Sequence, residues 1–142
     1  MITYQEKPLL FEDFNNGVTD AIVIPVNCFG VMGAGVALEA MKRYPNCEPL
    51  YNLALPFLYF NYFYSDKNDD FYFAATKDHW RDKSNLETIE KIVSQMAFKI
   101  RDETVGVPAL GCGLGGLDWN DVKALYEKHL AESPVHFICY LP

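Results

Sequence analysis

Two hydrophobic periods follow one another along the chain. Residues 21–26 (AIVIPV) form an unbroken apolar, β-branched run, the pattern of a strand covered on both faces of a mostly parallel sheet. Pro25 has no N–H, which places it near the strand's end, just before a loop beginning at Asn27. Residues 35–43 then read as a helix with Val36, Ala40 and Arg43 or Tyr44 on related faces, stopped by Pro45. Residues 71–75 (FYFAA) predict a second buried strand. Ser84 with Glu87 makes a capping box, after which Leu86, Ile89, Val93, Met96 and Ile100 recur every three or four residues, predicting a helix. Residues 104–108 predict a third strand. Residues 121–130 predict a third helix with Val122, Leu125 and Tyr126 inward, and residues 135–140 (VHFICY) a last strand.

Strands alternating with helices imply a three-layer α/β/α domain, because parallel neighbours need a crossover long enough to hold a helix. The sheet is expected to be mixed and mostly parallel, with helices on both faces. Ligands of such sheets sit outside the carboxyl ends of the strands. Residues 50–64 are apolar and aromatic but interrupted by Asn52, Pro56 and Asn61, and are expected to be a core segment or a packed excursion. Residues 65–70 (SDKNDD) read as a surface turn.

Length fits one domain over residues 1–142, and half of the 142 residues are apolar, enough for one ordinary core. Residues 2–6 do not resemble the start of a secretory leader, and no apolar run is long enough to span a bilayer, so the expectation is a complete cytoplasmic protein with no membrane contact. Cys28, Cys47, Cys112 and Cys139 lack metal-site or C-x-x-C spacing, and His79, His129 and His136 are scattered; reduced thiols and no metal are expected. A net charge of −7 argues against an extended nucleic-acid footprint while leaving room for a small basic patch.

Two glycine-rich segments each follow a predicted strand and precede a predicted helix. One runs Asn27, Cys28, Phe29, Gly30, Val31, Met32, Gly33, Ala34, Gly35; the other Gly111, Cys112, Gly113, Leu114, Gly115, Gly116, Leu117. Backbone N–H groups and a helix N-terminus can meet a phosphate at such places. Neither segment is a P-loop or a dinucleotide fingerprint. One glycine loop alone could be a tight turn, but two at equivalent strand ends suit a diphosphate with a sugar at each end. Lys77, just past the carboxyl end of the 71–75 strand, lies on the same side; taken alone it reads as a solvated surface lysine.

The segments V-N-C-F-G-V-M-G-A-G-V-A-L (26–38) and P-A-L-G-C-G-L-G-G-L-D-W (108–119) resemble the macrodomain family. The branch is that of the human terminal ADP-ribose protein glycohydrolase and the DarG-type antitoxins, and the likeness runs over nearly the whole chain. Residues 73–84 are similar to the F-P-T-K-x-H-W-R-x-K-S stretch of DarG-type members. The resemblance implies that Lys77 is catalytic and that Asn27 contacts the distal ribose of ADP-ribose. It also implies that Gly30, Val31, Met32, Gly33, Ala34 and Gly35 wrap that ribose and the diphosphate, with Gly111, Cys112, Gly113, Leu114, Gly115, Gly116 and Leu117 holding the diphosphate from the other side.

Two departures matter. Pro8 and Leu9 stand where many members carry a Gly-Asp pair that accepts from adenine, leaving Phe11, Tyr140 or the 57–64 aromatics to stack the base. Gly115 stands where the human enzyme has an acid, which argues against the ester-cleaving variant.

The implied reaction is release of ADP-ribose from a thymine of single-stranded DNA, Lys77 attacking the anomeric carbon of the distal ribose or its ring-opened aldehyde. His79 and Asp118 are candidates for proton transfer; as alternatives, Asp118 caps the third helix and His79 packs beside Trp80. Trp80 and the Tyr or Phe residues of the 50–64 segment could stack a base, while Arg81, Lys83, Lys42 and Arg43 could touch phosphates. No separate cofactor is expected, and no toxin-binding domain is evident. The alternatives are a phosphatase acting on ADP-ribose 1''-phosphate, de-ADP-ribosylation of protein carboxylates, and a non-catalytic ADP-ribose reader.

Overall fold

The computed structural model describes residues 1–31, 34–65 and 70–142. Met32 and Gly33 of the first glycine loop, and most of the expected 65–70 turn, lie outside the described residues. The elements in order are β1 (Ile2–Gln5), α1 (Leu9–Asn15), β2 (Ala21–Asn27), α2 (Gly35–Arg43), α3 (Cys47–Asn61), β3 (Phe63–Tyr64), β4 (Phe71–Lys77), α4 (Leu86–Lys99), β5 (Thr104–Pro108), α5 (Trp119–Leu130) and β6 (His136–Tyr140).

The strands form one sheet in the order β1-β6-β5-β2-β4-β3, parallel throughout except for β3, which runs antiparallel to β4 at the edge. Side chains alternate between the faces of a strand. Ala21 and Val23 of β2 accordingly join α4 and α5 in one core through Ile89, Ile92, Val93, Met96, Val122, Tyr126 and Leu130. Ile22, Ile24 and Val26 join α1, α2 and α3 in the other through Leu10, Phe11, Ala37, Ala40, Tyr51, Ala54 and Leu58. The three layers are therefore those expected from the alternation of strands and helices.

The pairings also show where the sheet opens. β2 pairs with β5 at Ala21↔Val105 and Ile22↔Gly106, whereas its pairing with β4 continues to Asn27↔Lys77. The carboxyl ends of β2 and β5 thus part, and Pro25 falls in the stretch of β2 that has left β5. A missing N–H is tolerated best where a ladder has already lapsed.

Three expectations are corrected. Residues 47–61 form a 15-residue helix, with Cys47, Tyr51, Ala54 and Leu58 buried at helical spacing and Leu53, Phe57, Tyr59 and Phe60 exposed. The N-cap of α4 is Asn85, whose Oδ1 accepts from Thr88 N at 2.9 Å; Ser84 sits one residue earlier, buried, its hydroxyl without a hydrogen-bond partner among the described residues. Ala37 rather than Val36 shares the buried face of α2 with Ala40. In addition, β1, α1 and the two-residue β3 carry too little periodicity to be read from the sequence. No described helix is long and apolar enough to cross a membrane.

Candidate ADP-ribose cleft

The parting of β2 and β5 opens a cavity of about 660 Å³ at the carboxyl edge of the sheet. Its wall includes Asn27, Val31, Ala34 and Gly35 from the first glycine loop and Gly111, Gly113, Leu114 and Gly115 from the second, with Lys77 and Trp80 between. Gly30, Cys112, Gly116 and Leu117, also expected to bind, are not part of this wall. Gly30 packs on Leu55, Gly116 on Lys83, and Leu117 on the core beneath α5.

Each loop is braced from below by a buried tyrosine. Tyr51 of α3 donates its hydroxyl to the Asn27 carbonyl at 2.6 Å and receives Gly30 N–H at 3.1 Å. Tyr126 of α5 donates to the Pro108 carbonyl at 2.6 Å and receives Leu110 N–H at 2.9 Å. Burial pushes the Tyr51 phenol up to about 12 and that of Tyr126 well above its ordinary value, so both keep their proton and donate. The Asn27 side chain completes the first brace, with Nδ2 donating to Val31 O at 2.7 Å and Oδ1 accepting from Phe29 N at 2.8 Å. Tyr51→Phe would leave Gly30 N–H and the Asn27 carbonyl unpaired. The expected cost is about 1–3 kcal/mol of stability with severalfold weaker ADP-ribose binding, measured by thermal denaturation and calorimetric titration. Unchanged affinity would show the brace to be dispensable.

Lys77 ends β4. A register irregularity between Val26 and Asn27 sets Lys77 opposite Asn27, on the cleft wall. Its ammonium has no hydrogen-bond or ion-pair partner among the described residues, while Thr76 beside it is buried. The backbones of the two strand ends are tied by Cys28 N donating to Asp78 O at 2.9 Å. The thiols of both loops are poor nucleophiles. Burial, with Asp78 beside Cys28 and Asp118 beside Cys112, pushes each up to about 11 and holds it protonated at neutral pH.

The chain matches solved and curated proteins along its whole length. The DNA ADP-ribosyl glycohydrolase of Mycobacterium bovis is 37% identical over 154 residues, covering 100% of this chain and 42% of that protein. The macrodomain of Mycobacterium tuberculosis DarG superposes with a TM-score of 0.78 at 33% identity, covering 100% of this chain and 98% of that one. The chain belongs to the DarG branch of the macrodomain family. Thermosipho africanus DarTG in complex with ADP-ribose superposes with a TM-score of 0.82 at 25% identity over 99% of this chain and 41% of that one. The chain spans about two fifths of the length of the curated relatives it matches. No protein-family profile matches it.

The remaining predicted residues of this macrodomain are spread around the cleft. Asp118 is exposed outside the wall and caps α5, accepting from Asn120 N at 2.8 Å. Asp118→Ala is expected to cost about 1 kcal/mol of stability with turnover unchanged; a hundredfold loss of turnover at unchanged stability would make Asp118 the proton donor instead. His79 Nδ1 accepts from Arg81 N at 3.1 Å, which leaves Nε2 to carry the proton of the neutral ring. Lys83 Nζ donates to Leu114 O at 3.3 Å and so fastens the second loop. Arg43 pairs with Glu39 at 2.7 Å and lies 5.1 Å from the Phe11 ring centroid.

Pro8, Phe11 and Tyr140 line the far end of the cavity, Tyr140 donating to Asp13 Oδ2 at 2.6 Å, whereas the 57–64 aromatics lie outside its wall. Sequence reasoning missed Lys7, Glu12 and Thr76 on the wall and Tyr51 beneath it. No sequence signal marked Tyr51, because the exposed aromatics of α3 blur the period that Cys47, Tyr51 and Ala54 share.

Proposed function

We propose that this macrodomain binds ADP-ribose in the cleft and releases it from a base, thymine, of single-stranded DNA. The observation that carries the reading is Lys77, unpartnered among the described residues, on the wall between the two glycine loops and in register with Asn27. Relatives of similar sequence are named DNA ADP-ribosyl glycohydrolases, and one relative combines a DNA ADP-ribosyl transferase with the glycohydrolase in a single protein. A transferase of that chemistry is the partner reaction whose product this domain would erase.

In the proposed course the backbone N–H groups of the two loops and the N-terminus of α2 at Gly35 hold the diphosphate. The distal ribose lies against Asn27. Lys77 Nζ, as the neutral amine, bonds to the anomeric carbon while the bond to the base nitrogen breaks, its electron pair leaving with the base, which takes up a proton. Water then replaces the lysine, giving free ADP-ribose. Solvent water supplies the proton for the departing base: Nδ1 of His79 is committed to accepting from Arg81 N, and Asp118 is engaged as a helix cap.

The test is to incubate the protein with a single-stranded oligonucleotide ADP-ribosylated on thymine, an ester-linked ADP-ribosyl peptide, and ADP-ribose 1''-phosphate. Release from the oligonucleotide alone supports the reading. Turnover of only the peptide or only the phosphate ester assigns one of the other activities, and binding without any turnover makes the domain a reader.

A further inference from the structure

Beside the cleft the rings form one contiguous row, part stacked and part edge to face. Phe29 of the first glycine loop meets His79 edge to face, with centroids 5.0 Å apart and an interplanar angle of 62°. His79 lies on Trp80 at 5.3 Å and 30°, and the Arg81 guanidinium carbon stands 4.5 Å from the Trp80 ring centroid. The stack is held by backbone as well as by ring contacts. The Cys28 N to Asp78 O bond joins the residues immediately before Phe29 and His79, His79 N donates to Asp82 Oδ2 at 3.0 Å, and Arg81 N donates to His79 Nδ1.

Yet the stack remains open to solvent: Phe29 is 60% and Trp80 45% exposed. Trp80 belongs to the cleft wall that Lys77 shares, whereas Phe29 stands outside it. The stack therefore runs from the site of bond cleavage to an exposed ring that the sugar and diphosphate do not need. Two loops are locked together to present it.

We propose that Phe29, His79, Trp80 and Arg81 form a platform that stacks an unpaired nucleobase of the strand bearing the ADP-ribose, with Arg81 toward its phosphates. The proposal rests on the DNA-directed reading above and names the side chains that engage the strand. Rings beside a guanidinium match the π-face and backbone charge of a nucleotide, and such platforms accept any base that is not already paired. A chain of net charge −7 gains little from diffuse phosphate attraction, so stacking is the physical term left to hold the strand. Because a paired base keeps its neighbours, the platform also selects single-stranded over duplex substrate.

Kinetics of wild type, Phe29→Ala and Phe29→Tyr on a thymine-ADP-ribosylated oligonucleotide, single-stranded and annealed, test this, with calorimetric affinity for free ADP-ribose alongside. The expected result for Phe29→Ala is a rise of about tenfold in KM on the single strand, with kcat and ADP-ribose affinity unchanged, a smaller preference for single strand over duplex, and rescue by Phe29→Tyr. An unchanged KM overturns the platform while leaving the glycohydrolase reading intact. An equal loss of affinity for free ADP-ribose also overturns it, because the contact would then not be with a base. If wild type turns over no substrate, the glycohydrolase reading fails by itself, and fluorescence anisotropy of the same labelled oligonucleotide decides the platform. Weaker binding by Phe29→Ala supports it; equal binding, or no binding by wild type, overturns it.

Discussion

Lys77→Ala is expected to lower release of ADP-ribose from the modified single strand by about a thousandfold or more, while affinity for free ADP-ribose stays within a few fold. The split follows from the geometry. The cradle is built by backbone and by the braces of Tyr51 and Tyr126, none of which touches the lysine side chain, so binding survives its loss. The cysteines of the two loops offer no substitute for the proposed chemical step, because Cys28 and Cys112 are held as thiols, and Asp118 is engaged in capping α5. Lys77→Arg should be as inactive as the alanine variant, since a guanidinium stays charged and cannot attack, although it fills the same place. Single-turnover release from the oligonucleotide, with affinity measured by calorimetry, checks both variants. Retention of even a tenth of wild-type turnover in Lys77→Ala would remove the lysine from the mechanism.

The parts of this macrodomain legible in the sequence were those set by local pattern. Residues 21–26 and 71–75 are continuous apolar runs because both faces of β2 and β4 are covered, and the glycine segments fall at the carboxyl ends of strands, where the cleft lies. Helix α3 was not legible. Pro56 and the two asparagines looked like breaks, but the helix keeps its face through Cys47, Tyr51, Ala54 and Leu58, and the exposed aromatics beside them blur the period.

The capping box misled for a related reason. Ser84 and Glu87 have the right spacing, yet the backbone of Ser84 is committed to the second loop, Ser84 N donating to Gly115 O at 3.1 Å, so the helix starts one residue later at Asn85. Nor could any local pattern tell that Tyr51 and Tyr126 send their hydroxyls under loops 21 and 16 residues away, or that an irregularity beside Asn27 turns Lys77 onto the cleft wall. These are tertiary facts, and they convert two glycine loops into a preorganised cradle.

Gly115→Ala is expected to weaken ADP-ribose binding by tenfold or more and to cost about 1–3 kcal/mol of stability. A Cβ at Gly115 would stand 2.5 Å from the Gly111 carbonyl oxygen and closer still to the Ser84 hydroxyl. The hydroxyl can rotate away, but the carbonyl cannot, because Gly111 O already accepts from Leu117 N at 2.9 Å and closes the loop. Gly111 itself is held at φ +77°, where a Cβ would press on Leu117, Ser84 and Ile89. Accommodating even a methyl group therefore means opening the second loop, the cleft wall proposed to face the diphosphate.

The same crowding bears on substrate choice. The sequence resemblance implies an acid at the position of Gly115 in the ester-cleaving branch, and Gly115→Asp would add a charged group at the same blocked point. It is expected to lose ADP-ribose affinity and to gain no activity on ester-linked peptides. Calorimetry, denaturation and the peptide assay together check this. A Gly115→Asp variant that binds ADP-ribose normally and cleaves the ester would mean that the loop opens without cost, and that substrate class is set by the one acid rather than by the packing beneath it.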